Sequence, residues 1–374
     1  MIYLDHAATT PLHPKVLDAM LPYLTEHYGN ASSLHHLGQK ARRGIERARD
    51  QVAAGIGAKS RDIIFTSGAT EADNQALRGV AHLYPKGHII TSSIEHAAVL
   101  SNCRHLETLG HPVTYCQPDS TGAIIPQTVA EAIRTDTVLI ALMLVNNETG
   151  IRTNIAEISQ LAHQKNILVF CDAVQAFGFE SLNVHQLGVD LLSLSAHKMY
   201  GPKGVGALYI REGLELPACM LGGEQERGFR AGTHNTAGIV GMGKAAECII
   251  QNLEHIEHLK ELRDNFEKHI LSLEGVHPNG NAPRGPKHLN VRVDHVDGEA
   301  LLLSLDQLGV AVSAGSACAA GSLEPSHVLT AMGLTQEQAK ASIRFSLGHG
   351  TTKAMLNEAG EKFAEAITRC RVFD

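Results

Sequence analysis

The chain has 374 residues, 44% hydrophobic and 19% charged, with 35 glycines. That length buries a sizeable core as one large unit or two domains, and that balance excludes disorder as the main state. Subtracting 39 acidic from 32 basic side chains leaves a formal charge of −7, and no long block of like charge occurs, which disfavours a generic nucleic-acid groove.

The longest apolar run, 138–145, has eight residues, far short of the roughly 18 that suggest a membrane span. The opening MIYLDHAATTP has neither the basic start nor the apolar stretch of a secretory signal, so a cytoplasmic, reducing location is expected. Seven scattered cysteines without a C-x-x-C pair indicate neither a disulfide framework nor a zinc ribbon. His255 and His258 lie one turn apart on a stretch that reads as exposed helix, where solvated surface is a simpler reading than a metal site. No metal is expected.

Taken in chain order, the runs 62–66 (DIIFT), 88–92 (HIITS), 138–145, 167–171 (ILVFC) and 191–195 (LLSLS) read as strands, and helical patterns separate most of them. This alternation predicts a layered α/β fold with a largely parallel sheet. The run 204–210 (GVGALYI) follows 191–195 through a Gly/Pro loop instead of a helix, so that pair is expected to be antiparallel. Between 251 and 273 a polar helix with an apolar stripe is expected to connect two domains. The Pro/Gly/Asn-rich stretch 275–286 reads as a loop, and the remainder as a smaller α+β unit. The expected division is 15–255 for the large domain, and 1–14 with 256–374 for the small one.

One motif misleads. Gly241-Met-Gly243-Lys-Ala-Ala246 matches the dinucleotide pattern G-x-G-x-x-A, but no strand leads into it, and helix packing explains its small residues better.

Four other segments carry chemistry. A strand runs into Ser67-Gly68-Ala69-Thr70 and then a helix, an arrangement in which backbone N–H groups and the Thr70 hydroxyl cradle a phosphate; the alternative is a Thr70/Asp73 capping box without ligand. Asp172 follows ILVFC directly, at the strand end where open α/β sheets bind ligands, and there it can hold a heteroaromatic ring nitrogen protonated while Gln175 reaches a ring substituent. A helix N-cap is the simpler alternative for Asp172. Lys198, in SAHKMYGPKG, stands after a strand, where partial desolvation makes an amine nucleophilic toward an aldehyde; an ordinary surface lysine is the alternative. Cradle, acid and lysine in this order point to pyridoxal phosphate. Lastly, the Gly/Ala/Ser-rich stretch around Cys318 sets one thiol among small residues, a setting for a reactive thiol more than for a structural one.

With these residues assembled, the chain resembles the cysteine desulfurases among the fold-type-I pyridoxal phosphate enzymes, in the branch with a long, mobile cysteine loop, here about 313–325. The motifs that carry the resemblance are YLDHAATTP, YGNASSLH, FTSGATEADN, IEHAAVL, VNNETG, CDAVQ, SAHKMYGPKGVGALY, QERGFRAGTHN, GSACAAGSLEPSHVL and SIRFSLG. It implies a large domain with a mostly parallel seven-stranded sheet and a smaller α+β domain.

Residue by residue, the resemblance makes Lys198 the Schiff-base lysine and Asp172 the partner of the pyridine nitrogen, with Gln175 near the ring hydroxyl. His96 stacks on the ring and handles substrate protons. Ala69, Thr70, Ser195 and His197 bind the phosphate, and Thr233 does so in the neighbouring subunit, which implies a homodimer. Arg344 and Asn147 hold the substrate carboxylate, with Asn30 assisting. The implied reaction converts L-cysteine to L-alanine, the sulfur passing to Cys318 as a persulfide for an acceptor in iron–sulfur assembly, tRNA thiolation or DNA modification. Ile94 stands where a threonine often precedes the Glu-His pair, and Ala31 replaces a common proline. The sequence stops at Asp374 without the tail by which housekeeping relatives dock their scaffold protein, so the acceptor stays open.

A selenocysteine lyase or an aminotransferase would share Lys198, Asp172 and the cradle, and Cys318 is the residue that discriminates. A non-catalytic sulfur-relay protein would be marked by loss of the lysine or the aspartate, and both are present.

Overall fold

The computed structural model describes residues 1–251, 254–314 and 324–371. Its central sheet has seven strands in the spatial order Ile63–Thr66, Gly206–Ile210, Leu191–Ser195, Leu168–Asp172, Thr137–Met143, His88–Ser92 and Val113–Cys116. All run parallel except Gly206–Ile210, which is antiparallel to both neighbours, as its short Gly/Pro connection predicts. Five of these strands, Ile63–Thr66, His88–Ser92, Leu168–Asp172, Leu191–Ser195 and Gly206–Ile210, are buried at every position, because helices cover both faces.

The edge strand Val113–Cys116 was not among the expected ones. Its sequence VTYC is only part-buried, so it lacks the continuous apolar run by which the inner strands announce themselves. A second correction concerns 275–286: it contains the strand Val276–Pro278, which forms the edge of a four-stranded antiparallel sheet with His288–Val293, Ser342–Ser346 and Ser313–Ala314. Proline is tolerated at such an edge, where no ladder N–H is required of it.

Besides the cluster around Leu77, Val80 and Phe170, the core has two separate apolar clusters. One joins the inner strands to Ile45, Val52, Met242 and Ala246 of the covering helices. The other joins the N-terminal Ile2 and Leu4 to residues from Leu259 through Ile367. The chain start reaches that second cluster because Ile2–Tyr3 pairs in parallel with Val310–Ala311. The expected connector is the helix Glu254–Leu271, directly preceded in the chain by the helix Thr236–Ile250.

Gly241 and Gly243 lie inside the helix Thr236–Ile250, where a Cβ on Gly241 would meet Met20 Sδ at 2.6 Å and one on Gly243 the Cα of Ala48 at 2.5 Å. Their smallness serves close helix packing. Gly243→Val is expected to destabilise by about 1–3 kcal/mol through overpacking. A denaturant melt with an unchanged midpoint would contradict this.

Candidate active site

Parallel strands deliver their carboxyl ends to one edge of a sheet, where loops converge and ligands bind. Here that edge opens into a cavity of about 490 Å³. Of the expected residues, Ala69, Thr70, His96, Asn147, Asp172, Gln175, Ser195, His197, Lys198 and Arg344 all line it. Asn30 and Thr233 do not: both are exposed, and Asn30 Oδ1 accepts from the Ser32 amide at 2.9 Å. Cys318 lies outside the described residues.

The cradle forms as the strand Ile63–Thr66 turns into the helix Ala69–Leu83. Gly68 is the N-cap and no side chain caps the helix, so the capping-box alternative is discarded. The Ser67 amide instead donates to Glu71 Oε2 at 2.8 Å, while Glu71 pairs with Arg230. A Cβ on Gly206 would meet the Gly68 backbone at 2.6 Å, so glycine there lets the cradle sit tight on the neighbouring strand. A Cβ on Gly68 would meet nothing within 4 Å, which leaves room above the helix start.

Asp172 ends its strand, and no helix begins after it, which removes the N-cap alternative. Its Oδ1 accepts from the Val174 amide at 2.9 Å. Burial pushes this carboxyl up, against the pull of His96, the Val174 amide and Lys198. Gln175 donates through Nε2 to Ala7 O at 3.0 Å, while its Oε1 is buried without a hydrogen-bond partner.

Lys198 lies on a single helical turn, Ala196–Lys198, after the strand Leu191–Ser195. Its Nζ donates to Ala7 O at 2.7 Å and Ala8 O at 2.6 Å. The N-terminal segment that supplies these carbonyls is laced to the lysine turn: the Thr10 amide donates to His197 O at 2.9 Å, and the Tyr200 amide to Thr10 Oγ1 at 2.7 Å. His197 Nδ1 lies 3.1 Å from Thr9 Oγ1. Burial, reinforced by Lys198, Lys203 and Lys287, lowers His197 to about 4, so it is neutral at physiological pH and offers a single N–H.

Arg344, only 1% exposed, projects from the strand Ser342–Ser346. Its Nη2 donates to Asp5 Oδ1 at 2.6 Å and its Nη1 to Asn147 O at 2.9 Å, which orients the guanidinium. Next to Asn147, buried Glu148 is pushed up to about 7 by burial and accepts a hydrogen bond from the Ser326 hydroxyl. Both described flanks of the cysteine segment are thereby held near the cavity: Ser313 is registered against Arg344 and Ser326 is bonded to Glu148.

The segment that carries Thr233 is anchored by Glu226, whose buried carboxylate accepts from Arg49 Nη1 at 2.6 Å, Arg49 Nη2 at 2.9 Å, the Phe65 amide at 2.9 Å and His234 at 2.9 Å. Glu226 and Arg227 have φ of 47° and 58°, strain that this ion pair sustains. Although burial opposes it, these donors lower Glu226 to about 2. The folded value lies below the unfolded one, so the stabilisation is present above about pH 4.5 and is lost as pH falls toward 2. It amounts to about 3 kcal/mol at neutral pH. In Glu226→Gln, acid unfolding is expected to lose that component of its pH dependence, and parallel curves for the two proteins would contradict it.

Sequence reasoning missed Asp5, Ala7, Ala8 and Lys203, and took Asp73 only as a possible cap. Asp73 sits with Ala72, Ala76, Leu77 and Val80 on the buried face of its helix, a signal that was available in the spacing.

The aminotransferase class-V model matches residues 2–358. The chain is 50% identical to a cysteine desulfurase IscS of Dictyoglomus turgidum over 99% of its own length and 95% of that protein's. A solved NifS-like protein superposes with a TM-score of 0.92 at 35% identity, covering 98% of this chain and 99% of the other. SspA, solved in complex with cysteine, superposes with a TM-score of 0.82 at 39% identity over 93% and 99% of the two chains. The chain belongs to the class-V aminotransferase family, in its cysteine desulfurase branch.

Proposed function

We propose that this protein is a pyridoxal phosphate-dependent cysteine desulfurase that moves sulfur from L-cysteine onto Cys318 for delivery to an acceptor. The observation that carries the reading is the meeting of Lys198, Asp172 and Arg344 in one cavity, at the carboxyl edge of the sheet of a class-V aminotransferase.

The residues fit the cofactor. Gln175 Oε1 is a buried acceptor without a partner, suited to a ring hydroxyl, and Asp172 is a buried carboxyl suited to a protonated ring nitrogen. The uncapped helix start, Thr70, Ser195 and neutral His197 suit the phosphate, with Thr233 contributed to the partner of a homodimer. When bound, the cofactor supplies an electron sink for the carbanion formed at the substrate Cα.

Arg344 and Asn147 hold the L-cysteine carboxylate, with Asn30 assisting. Lys198 would accept the Cα proton and return it, and His96, on the same cavity wall, would stack on the ring and handle substrate protons. The Cys318 thiolate attacks the substrate sulfur: a sulfur–sulfur bond forms, the carbon–sulfur bond breaks with its electron pair going to carbon, and protonation there completes L-alanine. Thiol and L-cysteine thus become persulfide and L-alanine, with no external oxidant. A persistent free thiol suits the expected reducing, cytoplasmic setting. No helix among the described residues is long and apolar enough to cross a membrane. The expected division at about residues 14 and 255 would set the cysteine segment on the small domain and Lys198 on the large one.

Cys318→Ser is expected to retain the cofactor yet form no persulfide and release no sulfide from L-cysteine. Full sulfide release by this variant would overturn the mechanism, and turnover of selenocysteine alone would mark a selenocysteine lyase.

A further inference from the structure

Asp172 has two further buried carboxyl groups as electrostatic neighbours, Asp73 and Glu95, where the proposed chemistry uses one carboxylate. Asp73, on the helix Ala69–Leu83, is 1% exposed and lines the cavity. Glu95, equally buried, lies in the turn between the strand His88–Ser92 and His96. Their hydrogen bonding is unequal. Asp172 takes the Val174 N–H at 2.9 Å and feels His96 and Lys198. Asp73 Oδ1 is buried without a partner, as is Glu95 Oε2, while Glu95 Oε1 accepts from Ser92 Oγ at 2.5 Å.

Ionised carboxylates cannot accumulate in one dry wall, because each loses its hydration and repels the others. The charge settles on the group with an amide donor and cationic neighbours, and the rest keep their protons. The groups that face Asp73 are Asp172 at the end of its strand, Ser193 on the next strand, and His96 and Glu95 from the turn after His88–Ser92. Burial and then the Asp172 charge push Asp73 well up, with only the Ser193 hydroxyl and His96 opposing.

We propose that Asp73 and Asp172 act as a pair that shares one proton and one negative charge, Asp73 being the protonated member and Asp172 the charged one. Asp73 is thus a positioning residue acting through Asp172: it keeps the site at a single negative charge, matched to the single cation of a protonated ring nitrogen, and presents an O–H donor to the cavity wall. This rests on the reading of Asp172 given above.

The test uses the purified holoenzyme. The infrared difference between wild type and Asp73→Asn is expected to contain a protonated-carboxyl C=O band that the variant lacks. Asp73→Leu is expected to raise the cofactor dissociation constant ~10-fold or more, since a buried donor is lost beside Asp172, and Asp73→Asn, neutral but still a donor, restores most of that loss. Absence of the band, or an Asn variant as weak as the Leu variant, would overturn the pair. Should the leucine variant fold poorly, the infrared comparison decides by itself. The parent reading is checked apart: Asp172→Asn is expected to change the pH dependence of the cofactor's visible absorption, and an unchanged spectrum would remove Asp172, and the pair with it, from the ring nitrogen.

Discussion

Lys198→Ala is expected to lower kcat for L-cysteine by ~10²–10⁴-fold or more, the range over which a positioned acid–base group contributes. The amine is fixed by two backbone carbonyls, Ala7 O and Ala8 O, on the wall that also carries Gln175, and it shares the cavity with Asp172 and Arg344. No other lysine takes both roles. Lys203 also lines the cavity, but it follows Gly201–Pro202 on the connecting loop and is exposed, whereas Lys287 is fully buried over the Phe179 ring at 3.7 Å and does not line the cavity. Partial recovery on adding a small primary amine would tie the loss to the missing amine instead of to misfolding. Activity within tenfold of wild type would contradict the assignment.

Arg344→Lys is expected to raise KM for L-cysteine ~30-fold or more while kcat changes far less, because truncating a buried, hydrogen-bonded charge interaction costs about 2–5 kcal/mol. Lysine keeps the charge but not the planar fork that carboxylates match. Asp5 and the Asn147 carbonyl hold that fork in place, and Arg344 Nε is buried without a partner. An unchanged KM in steady-state kinetics would contradict carboxylate binding by Arg344.

The parts of the site that were legible in the sequence are those whose chemistry sits in side chains at strand ends. Asp172 after ILVFC and Lys198 after LLSLS could be placed because a buried parallel strand shows as an apolar run and its carboxyl end is where ligands bind. The wall facing them was not legible. Ala7 and Ala8 contribute backbone carbonyls, which leave no mark on residue type, and Asp5 reaches Arg344 across 339 positions of chain. Nor did the pattern reveal Val113–Cys116, since an edge strand that is half-buried alternates too weakly over four residues. Asp73 was misjudged for a different reason: Thr70 at the helix start suggested a cap, while the N-cap is in fact Gly68 and the helix buries Asp73.

The central claim, that sulfur leaves L-cysteine for Cys318, is tested most directly by mass spectrometry of the Cys318-containing peptide after brief reaction of the holoenzyme with L-cysteine in the absence of reductant. One added sulfur atom on Cys318 is the predicted result. An unmodified Cys318 peptide, from enzyme that carries its cofactor and turns over the substrate, would contradict it.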